Sequence, residues 1–210
     1  MQEPAVYQGQ FGEFTIEDVD RKGVVIYRAG LAIAALSFAI ATVLVFYQGS
    51  PAWITGLYWL LWGAIGISLW TIHIYLAPLH RTLQVFWAIG GIASLGISLW
   101  VAEPLALYVY EHGITILGVG FTFAALTGIF FKEAFCFNRL ETKLLTPIVP
   151  GLLLGHLLGW IPPTGAQTLL AAWAALFLVF ALRKVIQPIP PDIGDKSVFD
   201  YLHSQQTAKP

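Results

Sequence analysis

Residues 29–47 read AGLAIAALSFAIATVLVFY, a run without one charged side chain. As a helix rising about 1.5 Å per residue, it nearly spans the roughly 30 Å hydrocarbon core of a bilayer. A helix that is apolar all round needs either a large protein core or lipid to surround it. The rest of the chain cannot supply a water-soluble shell. Of 210 residues, 57% are apolar and 11% charged, with mean hydropathy +0.72. Soluble domains carry about 25% charged residues. At this size about a third of the unfolded chain's surface stays wet after folding. An ordinary soluble enzyme, a disordered chain and a nucleic-acid binder are excluded, which leaves an integral membrane protein. Net charge is −1, and Cys136 is the single cysteine, so no internal disulfide is possible.

Outward from that run, five further apolar stretches follow: 52–77, 83–101, 114–131, 147–161 and 166–182. They are solid runs without the alternation of barrel strands, which predicts an all-α polytopic bundle of six spanning helices. The chain then divides into an N-terminal tail (1–28), a transmembrane domain (29–182) and a Pro-rich C-terminal tail (183–210). Six spans put both tails and the second and fourth loops on one side. That side collects all 11 lysines and arginines, while the other receives only Glu103 and Glu111. By the positive-inside rule both termini are expected in the cytoplasm or its organellar equivalent.

The N-terminal tail holds Glu3, Glu13, Glu17, Asp18 and Asp20 and lacks the apolar core of a signal peptide. Thr15 and Asp18 resemble a capping box, predicting a short surface helix over 16–22. In the C-terminal tail, Gln187-Pro188-Ile189-Pro190-Pro191 is expected to run extended. Ser197 is placed to cap a brief amphipathic turn, with disorder expected over 204–210. Gly66-Ile67-Ser68-Leu69-Trp70 recurs as Gly96-Ile97-Ser98-Leu99-Trp100, but the match extends no further. In so biased a composition that is no transporter-type repeat.

Phosphate loops, zinc motifs and nucleophile elbows are missing, so no catalytic or metal site is nominated. His156 falls inside the fifth span, where an ionisable group is costly and marks function by default. A neutral imidazole there can ligate chlorophyll magnesium or haem iron, or relay a proton; the plainer reading is an interhelical hydrogen bond. Gly151, Gly155 and Gly159 repeat every fourth residue on the same helix, the pattern of a groove for a neighbouring backbone. His73, near the end of the second span, is a second ligand candidate, too far from His80 to share a metal with it. Trp53, Trp100 and Trp160 fit an aromatic belt, while Trp59, Trp62, Trp70, Trp87 and Trp173 lie deeper, as core packing or as flanks of a pigment.

The fourth loop differs in kind. From Phe130 to Lys143 it mixes Phe131, Phe135 and Phe137 with Lys132, Glu133, Arg139 and Glu141. Phe137, Leu140 and Leu144 recur at helical spacing, predicting an amphipathic surface helix. Aromatic anchors with a rim of acids and bases match a protein interface, so this loop is the candidate partner-binding surface; lying on lipid head groups is the alternative.

The stretch from Gly128-Ile129-Phe130-Phe131-Lys132-Glu133-Ala134-Phe135-Cys136-Phe137 through Asn138-Arg139-Leu140-Glu141 to Thr146-Pro147 resembles a family of small integral membrane proteins of unknown function in cyanobacteria and plastids. The tail prolines Pro188, Pro190 and Pro191 fit too, so the resemblance covers nearly the whole chain. It implies a thylakoid or plasma membrane location and a non-enzymatic role connected with photosystem II biogenesis. Two functions are therefore expected in order. The first is an accessory protein that helps assemble a photosynthetic membrane complex, its partners lipid and photosystem II assembly intermediates, with chlorophyll or carotenoid as candidate ligands. The alternative is a small transporter or channel for a neutral solute, suggested by the short, proline- and glycine-marked fifth span.

Overall fold

The computed structural model describes residues 5–207; Glu3 and Lys209 of the charge count, and the last three residues of the expected disordered tail, lie outside them. A small antiparallel ribbon pairs β1 (Val6–Gln8) with β2 (Glu13–Thr15), Tyr7 opposite Phe14. The long helices are α1 (Asp18–Phe46), α2 (Pro51–Thr71), α3 (Ala77–Trp100), α5 (Ile116–Phe137), α6 (Leu140–Leu157) and α7 (Pro163–Ile186). Short helices α4 (Leu105–Glu111), α8 (Ile189–Ile193) and α9 (Ser197–Thr207) complete the chain. The fold is an all-α helical bundle, with the ribbon as a tail element. Among the described residues five helices, all the long ones except α6, are long and apolar enough to cross a membrane.

The long helices form a ring in which α2 packs on α1, α1 on α7, α7 on α6, α6 on α5 and α5 on α3. Small residues set the closest seam. Gly30 faces the Ala64 carbonyl, where a Cβ would stand at 2.8 Å, and Ser68 donates to the Tyr27 carbonyl at 3.2 Å. Aromatic rings fill the middle: Phe38 tilts on Trp173 at 4.3 Å, and Phe130 meets Phe177 edge-on at 5.1 Å. The ring closes between α2 and α3 through two tryptophans. Trp62 Nε1 donates to the Trp87 carbonyl (3.1 Å), Trp87 Nε1 donates to the Trp62 carbonyl (2.8 Å), and the indoles stack 4.4 Å apart. Gly91 lies beneath Trp62 and Gly66 beneath Trp87, so a Cβ at either would reach an indole carbon at 2.5 Å. This Trp-x-x-x-Gly pair is the local symmetry between α2 and α3. The repeated pentapeptide is not: Gly66 is covered by Trp87, while nothing lies within 4 Å of a Cβ at Gly96.

Several expected boundaries are corrected. No separate surface helix forms over 16–22; Val24, Tyr27, Leu31, Ala34 and Phe38 make one buried stripe, so α1 runs unbroken from a capping box of Glu17 and Asp20. Residues 189–193 are helical and not extended, because Pro190 sits in a first turn, where no amide donor is needed. Residues 204–207 belong to α9. The fourth loop is hardly a loop: α5 continues to Phe137, Asn138 turns the chain in the left-handed region (φ 51°), and α6 starts at Leu140.

Candidate functional site

The tails meet at one end of the bundle. The Gln10 amide donates to Asp195, Phe11 N–H donates to Ser197 Oγ (3.0 Å), and Lys196 reaches Asp20 at 2.5 Å. Asp195 is held below the ordinary carboxylate range by the Gln10 amide and then by the Ser197 hydroxyl. Phe11 stacks on Tyr201 at 4.1 Å, and Ile16, Val24 and Ile193 form a small core of their own beneath.

Inside that end the helix termini carry a buried charge cluster. Glu133 of α5 takes Lys132 Nζ at 2.9 Å, Lys184 Nζ of α7 at 2.7 Å and the Tyr27 hydroxyl of α1 at 2.9 Å. Lys184 also meets Asp192 of α8, whose other oxygen takes Arg28 Nε of α1 at 2.6 Å. Arg28 donates further to the Val185 and Pro188 carbonyls, tying the α7 end to α1. Gln187 donates to Asp192 (2.9 Å) and accepts from Arg139 (2.6 Å), while Glu141 of α6 takes Arg183 at 3.0 Å. Lys184 stands 3.9 Å over the Phe137 ring. Glu133 and Lys184 are each 1% exposed, so these two charges must find their counterparts within the protein.

The seven residues expected at the partner surface thus divide. Lys132, Glu133 and Glu141 are buried and Phe137 and Arg139 half-buried, all turned to the cluster; the expected exposed rim of acids and bases is corrected to an internal ion-pair lattice. The reason is helical phase: Leu126, Ile129, Phe130 and Glu133 share one face of α5. Phe131 and Phe135 point the other way, 5.8 Å apart and 47% and 83% exposed. Tyr27, Arg28, Lys184, Gln187 and Asp192 were not nominated from sequence. For Lys184 a signal existed, since Trp173, Phe177, Phe180 and Lys184 lie on one helical stripe; for Asp192 none did.

The histidine and glycine candidates fall elsewhere. His156 is not at mid-span but in the last turn of α6, because the helix begins seven residues earlier than expected and ends at Leu157. Its Nε2 donates to the Tyr110 carbonyl at 3.1 Å and its ring stacks on Tyr110 at 5.3 Å. Gly151, Gly155 and Gly159 do not form one groove. Nothing lies within 4 Å of a Cβ at Gly151, Gly155 is covered by the Ile161 side chain, and Gly159 lies beyond the helix in the left-handed region (φ 65°). His73 lies at the tail end, between α2 and α3. Burial holds its imidazole below the ordinary histidine range, against the opposing pull of Asp20. Midway along the ring, the Tyr58 hydroxyl meets Ser94 Oγ at 2.5 Å and Thr122 Oγ1 at 3.0 Å, joining α2, α3 and α5 without a charge.

Among known proteins, the model of a family described as "Uncharacterized integral membrane protein (DUF2301)" matches residues 67–201. No curated protein and no solved structure matches the chain.

Proposed function

The chain belongs to that family of uncharacterized integral membrane proteins, and on that premise we propose that it is a non-enzymatic accessory protein that holds subunits of a membrane complex during assembly. One observation carries the reading: the buried charges are used to lock five helices and both tails into a rigid end, beside which Phe131 and Phe135 stand exposed. A preorganised end with aromatic anchors suits docking, because little ordering entropy remains to be lost on binding. The resemblance to cyanobacterial and plastid proteins supports reading the complex as one of a thylakoid or plasma membrane, with photosystem II assembly intermediates as the partners. Both tails lie at the same end of the bundle, which supports an even number of crossings, with α6 as the sixth. The basic residues gathered at that end support a cytoplasmic orientation for it. Chlorophyll or carotenoid is the ligand class the reading admits; His73 is the freer of the two ligand candidates, since His156 already donates to Tyr110.

Purification in mild detergent, with an absorption spectrum and identification of co-purifying subunits, tests the reading. Phe131→Ala together with Phe135→Ala is expected to release the partner and leave the bundle in the membrane. Retention of every subunit by the double variant overturns it. The Tyr58, Ser94 and Thr122 hydroxyls favour a second reading, passage of a neutral solute. In that case the purified protein is colourless and partner-free, and liposomes containing it leak that solute.

A further inference from the structure

A groove of about 280 Å³ opens at the tail end between the first two turns of α3 and of α9, outside the buried charge cluster. His80, Arg81 and Gln84 line it from α3, and Phe199, Leu202 and His203 from α9. Its lining holds no carboxylate. Arg81 is exposed and, among the described residues, forms no ion pair, unlike Arg28, Lys132, Arg139, Arg183, Lys184 and Lys196. A charge-deficient groove with an uncommitted guanidinium is chemistry for an oxyanion, which Arg can grip with two parallel donors.

What continues from the groove identifies the anion. Arg81, Val85, Ile89 and Ile92 recur at helical spacing, so they form one stripe down α3. Val85, Ile89 and Ile92 are exposed by 54%, 39% and 73% on a helix apolar enough to cross the membrane. A cation at the end of a bare aliphatic stripe fits a molecule with an anionic head and a hydrocarbon tail. Phe199 and Leu202 supply an apolar wall opposite, and the Tyr75 ring holds α9 in place through Phe199 at 5.1 Å. We propose that this groove binds the phosphodiester of an anionic phospholipid, its phosphate on Arg81 and its acyl chain along Val85, Ile89 and Ile92. The site is independent of the accessory role proposed above.

Native mass spectrometry of the full chain, released from detergent holding equal phosphatidylglycerol and phosphatidylcholine, reads the selection directly. Retention of phosphatidylglycerol over phosphatidylcholine is expected. Arg81→Gln is expected to weaken that retention about fivefold, the usual worth of one basic residue at an anionic headgroup. Arg21→Gln, an exposed cation on α1, is expected to leave it unchanged, and Ile92→Ser to weaken it through the tail alone. Equal retention of the two lipids, or an Arg81→Gln protein that keeps phosphatidylglycerol as wild type does, overturns the proposal. Displacement of the lipid by millimolar inorganic phosphate, with Ile92→Ser behaving as wild type, also overturns it, because the groove then takes a free phosphate and not a lipid.

Discussion

At the end that carries the tails, Glu133 and Asp192 each sit between cations with almost no exposure. At the opposite end Glu103 and Glu111 stand in the open, His112 lies flat on Tyr108 at 4.1 Å, and His156 makes one hydrogen bond to a carbonyl. The same chain therefore closes one end with charges in a lattice and the other with rings and backbone contacts. Removing one member of a buried lattice strands the rest, whereas removing one ring contact forfeits only that contact. The tail end is consequently the cooperative one, and the opposite end is free to vary residue by residue.

The largest effect is expected from Glu133→Ala, which strands the buried Lys132 without an anion and leaves Lys184 to share Asp192 with Arg28. A loss of about 3–5 kcal/mol is expected, read as a lowered midpoint of thermal unfolding in mild detergent. Between the ends, Gly91→Val forces a side chain into the Trp62 ring and is expected to cost about 1–3 kcal/mol by overpacking. At the opposite end, His156→Ala gives up one hydrogen bond and a ring contact, for about 1 kcal/mol. If His156→Ala proves as damaging as Glu133→Ala in the same assay, the contrast between the ends is wrong.

The smallest effect concerns pH. The Asp195 carboxyl is held low in the folded protein by the Gln10 amide and Ser197, so its contribution is fully present above the unfolded aspartate value of about 3.9. It is lost as pH falls through the lower folded value. Protease access to residues 5–15 is expected to rise on that acid limb while the spanning helices stay protected. Asp195→Asn should already show the increased access at pH 7.

Much of the bundle was legible because lipid demands long apolar runs, and such runs survive in composition alone. What escaped depended on phase and on distance along the chain. Glu133 and Phe135 are neighbours in sequence yet lie on opposite faces of α5, and treating residues 130–143 as a loop erased that difference. Asp192 gains its meaning from Arg28 and Lys184, and no local pattern in a proline-rich tail announces a partner on the first helix. Gly159 shows the converse: its four-residue spacing from Gly155 matched a packing motif, but the helix had already ended.

The reciprocal tryptophans between α2 and α3 have an optical consequence. Two indoles 4.4 Å apart and inclined by only 10° share their excited states, so their far-ultraviolet transitions mix and split. The protein thus couples two chromophores carried by different helices, at the place where the ring of helices closes. Any event that parts α2 from α3 removes that coupling while leaving each helix intact, which makes the seam a label-free gauge of whether the ring is shut.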